Sequence, residues 1–258
     1  MSEDGRIHMV GKVRSDTAEA APEAEKTELA LSVCRVSAGY EETAVLRDVS
    51  LQVEKGSVAA LIGANGAGKT TLMKVVAGLL PTTTGRVELY GSDMTHAPQH
   101  RRALAGLCHV PEGRAIYRSL SVRENLRMQA RPGHERSAIE QGVESFPILG
   151  ERLDQAAGTL SGGEQQMLAM ASVSAREVSL AMFDEPSMGL SPVMVDSVYN
   201  FMHKLAGQGV AILVVDQYVH RVLDLANHAY VLARGRITYS GTATSLKSDE
   251  VFGHFIGE

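Results

Sequence analysis

From residue 29 onward the hydrophobic positions gather into short runs separated by glycine, proline and charged residues. Positions 29–36 and 44–53 read as two strands on either side of a turn at Ala38-Gly39-Tyr40. The run 57–62 is apolar throughout and leads into a glycine-rich loop, then a helix over 69–80 that Gly78 and Pro81 terminate. Thr84-Gly85 and Gly91 bracket a further strand at 86–90, and residues from about 120 to 175 carry helix-forming sequence with polar breaks. Two more unbroken apolar runs, 178–183 and 210–215, read as buried strands, with a helix over 193–205 between them and another helix following. The segment 229–237 closes with a hairpin-like Arg234-Gly235. Buried strands alternating with helices predict an α/β domain with a largely parallel sheet.

Residues 1–28 have a different texture, polar and small, ending in a stretch rich in alanine and glutamate that has almost nothing to bury. They read as a disordered extension. The remaining chain is long enough for one large domain or two closely joined lobes, since 44% of the 258 residues are hydrophobic. A net charge of -5 gives no footing for general nucleic-acid binding, so no nucleic-acid partner is expected. Cys34 and Cys108 are too few for a disulfide framework and too isolated for a zinc site, and read as small buried hydrophobes in a reducing compartment. Met1-Ser2-Glu3-Asp4 is acidic where a signal peptide needs a basic start, and no apolar run approaches the roughly 18–20 residues of a membrane span. The chain is expected to be soluble in itself and to meet a membrane only through partners.

Gly63-Ala64-Asn65-Gly66-Ala67-Gly68-Lys69-Thr70 fits G-x-x-x-x-G-K-[ST], after a predicted strand and before a predicted helix. Glycines let successive backbone N–H groups turn inward around phosphate oxygens, and the helix N-terminus adds partial positive charge. Lys69 brings a full charge to the β- and γ-phosphates, and the Thr70 hydroxyl is placed to ligate Mg²⁺, with Thr71 next along the helix. An ordinary glycine turn would explain the glycines but not Lys-Thr with both flanks correct. Ser179-Leu180-Ala181-Met182-Phe183-Asp184-Glu185 is an apolar strand ending in two acids: Asp184 to hold Mg²⁺, Glu185 to polarise an attacking water. Alone this is a common loop start, but the phosphate loop and the acids each supply what the other lacks.

Leu160-Ser161-Gly162-Gly163-Glu164-Gln165-Gln166-Met167 resembles the signature sequence of ABC ATPases. Ser161 is a good N-cap, and Gly162 and Gly163 permit close phosphate approach at the start of a helix over 164–172. The resemblance extends over nearly all of 29–258. It implies a P-loop ABC ATPase core with a mainly parallel sheet, an N-terminal antiparallel β-subdomain and an inserted helical signature subdomain at about 113–175. Tyr40 is similar to the aromatic that stacks on adenine in this family, a strand-edge tyrosine being the plain alternative. Val110-Pro111-Glu112-Gly113-Arg114 stands where the family has its Q-loop, and the resemblance makes Glu112 a further candidate metal and catalytic group. Ser187-Met188-Gly189-Leu190-Ser191-Pro192 resembles the D-loop, and Gln217 occupies the switch-histidine position, with His220 as a rival three residues on.

Within the family the chain resembles the ATPases of branched-chain amino-acid importers. Pro111–Arg114 with Ser121-Val122-Arg123-Glu124-Asn125-Leu126, residues 158–168, and Asp184-Glu185-Pro186-Ser187 with Gly189-Leu190 carry this. Glu at the Q-loop and Gln at the switch are usual in that subfamily. The resemblance implies ATP and Mg²⁺ as cofactors, a second ABC ATPase subunit (identical or different), transmembrane permease partners and, indirectly, a solute-binding protein. The implied location is the cytoplasmic face of the membrane. Urea or short-amide importers, a soluble non-transport ABC ATPase and a weakly hydrolysing regulatory subunit stand as alternatives. Ser172 where arginine is usual, Val178 where proline is common, and Tyr117-Arg118 for Phe-Pro depart from the subfamily and bear on packing beside the signature helix.

Overall fold

The computed structural model describes residues 28–113 and 116–248. The extension read at 1–28 therefore lies outside the described residues except for Glu28, whose backbone carbonyl accepts a hydrogen bond from Lys55 N at 2.9 Å. Arg114 also lies outside them.

Two sheets organise the chain. The first holds β1 (Leu29–Tyr40), β2 (Thr43–Glu54), β4 (Thr84–Leu89) and the short β5 (Ser92–Asp93), in the order β2-β1-β4-β5 with every pairing antiparallel. The second holds β3 (Val58–Ile62), β6 (Leu107–Val110), β7 (Leu180–Asp184), β8 (Ala211–Val215), β9 (His228–Ala233) and β10 (Arg236–Thr242), in the order β10-β9-β3-β8-β7-β6. All its pairings are parallel except the β9–β10 hairpin at Arg234-Gly235.

The unbroken apolar runs follow from burial on both faces of this second sheet. Along β3, Val58, Ala60 and Ile62 enter one core while Ala59 and Leu61 enter the other. Along β7, Ala181 and Phe183 face the first core, Leu180 and Met182 the second. Strand periodicity thus feeds two cores at once, and each apolar residue has a partner layer. The second core lies between the two sheets and takes in α1 (Lys69–Ala77); the first is covered by the later helices.

The expected turn at Ala38-Gly39-Tyr40 is displaced: β1 runs on to Tyr40 and the chain reverses at Glu41-Glu42, with Glu41 at φ 51°. Gly39 serves close approach instead of the turn, because a Cβ there would stand 2.0 Å from the Thr43 carbonyl oxygen of the paired strand.

The first helix ends where Gly78 enters the left-handed region, with Gly78 N and Leu79 N donating back to Val75 O and Lys74 O at 3.0 and 2.8 Å. Arg102, on α2 (Gln99–Leu104), completes that end. Its buried guanidinium donates to Val75 O, Val76 O, Ala97 O and Thr95 O at 2.7–3.1 Å, with carbonyls as its acceptors. A cation at a helix C-terminus is favoured by the helix dipole.

Between β6 and β7 the chain forms α3 (Val122–Gln129), α4 (Glu135–Ser145), two short 3₁₀ turns and α5 (Gly162–Ser174). Ser121 and Glu124 close a reciprocal capping box at the start of α3. Buried Asn125 then holds the preceding loop, accepting from Tyr117 N at 2.7 Å and donating to Tyr117 O and Ser121 O at 3.0 and 2.9 Å. After β7 come α6 (Pro192–Gly207), α7 (Val219–Leu225) between β8 and β9, and α8 (Ala243–Ser248). Among the described residues no helix is long and apolar enough to cross a membrane.

Candidate functional site

Parallel strands bring their C-terminal ends to one edge, and three of them deliver the predicted chemistry there. Gly63 follows β3, Asp184 ends β7, and Gln217 comes two residues after β8. The register places Asp184 beside Val215 and Ala60 beside Val214, so the three strand ends are adjacent.

The loop Gly63–Gly68 turns into α1 with Gly68 at φ 110° as the N-cap. No side chain caps this terminus, which leaves the first N–H groups of the helix directed at the loop's concavity. Ala64, Asn65 and Gly66 are exposed, whereas Ala67 and Gly68 are buried beneath. Lys69 Nζ folds over the loop, donating to Gly63 O at 2.7 Å and Ala64 O at 3.1 Å. Burial lowers its pKa, against the raising effect of the Glu185 and Asp184 charges, which places the ammonium near both acids. Thr70 is half-buried and Thr71 buried in the first turn of the helix.

Asp184 is 1% exposed, and neither carboxylate oxygen has a hydrogen-bond partner. Burial raises its pKa, reinforced by the nearby Glu185 and Glu112 charges. The Thr70 hydroxyl and Lys69 pull the other way, though the hydroxyl closes no bond of ordinary geometry. A buried orphan carboxylate beside a threonine hydroxyl and a cationic phosphate loop fits a divalent cation. Among the described residues no three His, Cys, Asp or Glu side chains cluster as a metal cage. A site of one carboxylate completed by phosphate oxygens is the arrangement Mg²⁺ usually takes.

Glu185 adopts φ 49°, a left-handed backbone that is costly outside glycine. Its N–H donates to Val215 O at 2.8 Å, and its Oε2 accepts from Gln217 Nε2 at 2.9 Å. Two of the three predicted catalytic groups, Glu185 and Gln217, are therefore in direct contact. His220, the rival at the switch, lies on the exposed side of α7. Glu112 is exposed in the turn after β6 and its charge reaches Asp184. Tyr40 is 44% exposed at the end of β1, with Lys74 Nζ 3.4 Å from its hydroxyl and 5.7 Å from its ring centre.

Ser161 caps α5 through a second reciprocal box with Glu164: Glu164 N donates to Ser161 Oγ at 3.3 Å, and Ser161 N to Glu164 Oε2 at 2.8 Å. The helix starts two residues earlier than expected, at Gly162. Gly163 is buried, and a Cβ there would stand 2.0 Å from Met194 Sδ, so its absence lets α5 pack on α6 as well as keeping the terminus bare. No hydrogen bond among the described residues joins Ser161, Gly162 or Gly163 to the loop 63–71.

Ser172 turns its hydroxyl back to Ala169 O at 2.6 Å. With Cys108, His109 and Arg176 it borders a cavity of about 160 Å³; Cys108 is buried as expected, whereas Cys34 is exposed on β1. The sequence reading missed Asp216, a buried acid closing an apolar strand as Asp184 does; that shared pattern was the available signal.

Residues 46–188 match the family model described as ABC transporter. The chain is 37% identical over 86% of its length, and 96% of the relative's, to an Archaeoglobus fulgidus protein named "Probable branched-chain amino acid transport ATP-binding protein LivF". It is 32% identical to the lipopolysaccharide export system ATP-binding protein LptB of Haemophilus influenzae, covering 85% of this chain and 93% of that one. Among solved structures, an ATP-binding cassette of an ABC transporter in its ADP conformation superposes with a TM-score of 0.77 at 25% identity, covering 90% of this chain and all of that one. With the phosphate loop, the paired acids and the signature helix set out on this fold, the chain belongs to the ABC transporter family, as one of its ATP-binding and ATP-hydrolysing subunits.

Proposed function

We propose that this subunit drives an importer of branched-chain amino acids, standing on the cytoplasmic face of the membrane against permease partners and paired with a second ATPase subunit. The observation that carries the hydrolytic part is the convergence of Lys69, the orphan Asp184 carboxylate and the bonded Glu185–Gln217 pair at one sheet edge. Backbone N–H groups of 63–68 and Lys69 hold the phosphates, and Tyr40 stacks on the adenine. Thr70 and Asp184, with Glu112 beyond, would hold Mg²⁺, whose charge would offset that of the phosphate oxygens. Glu185 takes a proton from the attacking water, and the Gln217 amide donates to the terminal phosphate without titrating.

Ser161, Gly162 and Gly163 meet the terminal phosphate bound on the opposite subunit, a reading supported by the bare N-terminus of α5 and by the lack, among the described residues, of any hydrogen bond from them to the loop 63–71. Import of branched-chain amino acids is supported by the name of the Archaeoglobus relative and by the Glu112 and Gln217 choices. Solute delivery by a binding protein follows from that reading. The LptB likeness supports a second reading, an export motor. Uptake of labelled leucine in cells lacking the gene distinguishes them. Uptake should be lost, return with the wild-type gene and fail to return with Lys69→Ala. Unchanged leucine uptake would remove the substrate assignment, and a matching loss of lipopolysaccharide export would install the second reading.

A further inference from the structure

Asp216 ends the apolar run of β8 and is 7% exposed. Its carboxylate accepts from three donors on two loops. Ser187 N reaches Oδ2 at 3.2 Å, the Ser187 hydroxyl bonds Oδ1, and Tyr218 N reaches Oδ1 at 3.3 Å. Ser187 is itself fully buried, so neither end of this contact is exchanged freely for water. Ser187 lies two residues beyond Glu185, and Tyr218 is the residue after Gln217. One side chain therefore ties the loop carrying the acid to the loop carrying the amide.

We propose that Asp216 is a positioning residue for ATP hydrolysis, fixing the Glu185 loop against the Gln217 loop so that the two groups meet the terminal phosphate in register. The proposal rests on the roles assigned to Glu185 and Gln217. A carboxylate suits the place because it is an acceptor only, and the donors converging on it are N–H and O–H groups. Asparagine would keep the shape but offer one acceptor oxygen and turn an NH₂ group against a donor. Burial raises the Asp216 pKa, and the surrounding donors oppose that rise, as expected of a carboxylate held by hydrogen bonds in a dry setting. The clamp also bears on backbone held in an unfavourable region. Glu185 sits at φ 49°, a conformation that persists only where its surroundings over-determine it. Its N–H bond to Val215 O secures one side, and the Ser187–Asp216 bonds secure the other.

Steady-state ATP hydrolysis by the full-length chain tests this as a double-mutant cycle. Asp216→Asn should lower kcat roughly tenfold to hundredfold, the cost of misplacing reacting groups, and leave KM for ATP unchanged. In a Gln217→Ala background the same substitution should cost less than about twofold, because the Glu185–Gln217 pairing it holds in register is gone. An equal cost in both backgrounds, a rise in KM alone, or unchanged turnover in Asp216→Asn would overturn the proposal. Should Asp216→Asn fail to fold, Ser187→Ala, which removes one of the three donors, enters the same cycle with the same criteria. Normal turnover in Gln217→Ala alone would instead refute the switch assignment on which the proposal rests.

Discussion

Stability below neutral pH should depend on one histidine. His109 stands on β6, and its Nε2 is buried without a hydrogen-bond partner. Burial, with the Lys74 charge adding to it, pushes the imidazole pKa from 6.5 down to about 4. The folded protein thus binds fewer protons than the unfolded chain between those two values. The resulting stability is full above pH 6.5 and is lost as pH falls towards 4. Integrating the linkage gives a loss of about 2 kcal/mol at pH 5 and about 3 kcal/mol at pH 4 from this group alone. His109→Gln cannot titrate and should escape that part of the loss. Urea unfolding of both proteins without nucleotide, at constant ionic strength from pH 7 to pH 5, measures the difference directly. The wild type should lose about 2 kcal/mol more than the variant over that interval. Parallel curves would show that the imidazole reaches water in the folded state and that the argument from burial is wrong.

Other expectations follow from the same geometry. Arg102→Met leaves the Val76 carbonyl without its Arg102 partner and should lower unfolding free energy by roughly 2–3 kcal/mol in urea; a change below about 0.5 kcal/mol would count against the staple. Gln217→Ala should cripple steady-state turnover while His220→Ala barely alters it from pH 5.5 to 8, and the reverse pattern would move the switch to His220. Ser161→Arg should spare nucleotide binding yet abolish dimerisation in ATP, read by size-exclusion chromatography; a normal dimer would count against a site shared between subunits.

Much of this architecture was legible because its signals are local. A strand buried on both faces must be apolar throughout, so β3, β7 and β8 show as unbroken runs. The phosphate loop and the capped signature helix are likewise written in consecutive residues, and the structure places the loop, Asp184, Glu185 and Gln217 together as the motif order implied. What was missed depends on contacts made only in the folded chain. Gly39 carries the composition of a turn, but its use is close contact with Thr43 across the hairpin. Arg102 closes the carbonyl end of α1, a helix that precedes it by more than twenty residues. Asp216 gains its cross-loop role from Ser187, 29 residues away. The capping box at Ser121 was the exception, since its S-x-x-E spacing lay in plain sequence.

The central claim is that Glu185 activates the water that cleaves ATP, and Glu185→Gln tests it most directly. The substitution keeps the size of the side chain and an oxygen able to accept from Gln217 Nε2, so the loop geometry should survive. It removes the basic oxygen that takes the proton. Turnover at saturating ATP and equilibrium binding of ATP are measured on the same preparation. The account predicts unchanged affinity with turnover lowered roughly 10² to 10⁴-fold, the usual worth of general-base assistance. Undiminished turnover would contradict it and remove Glu185 from the mechanism.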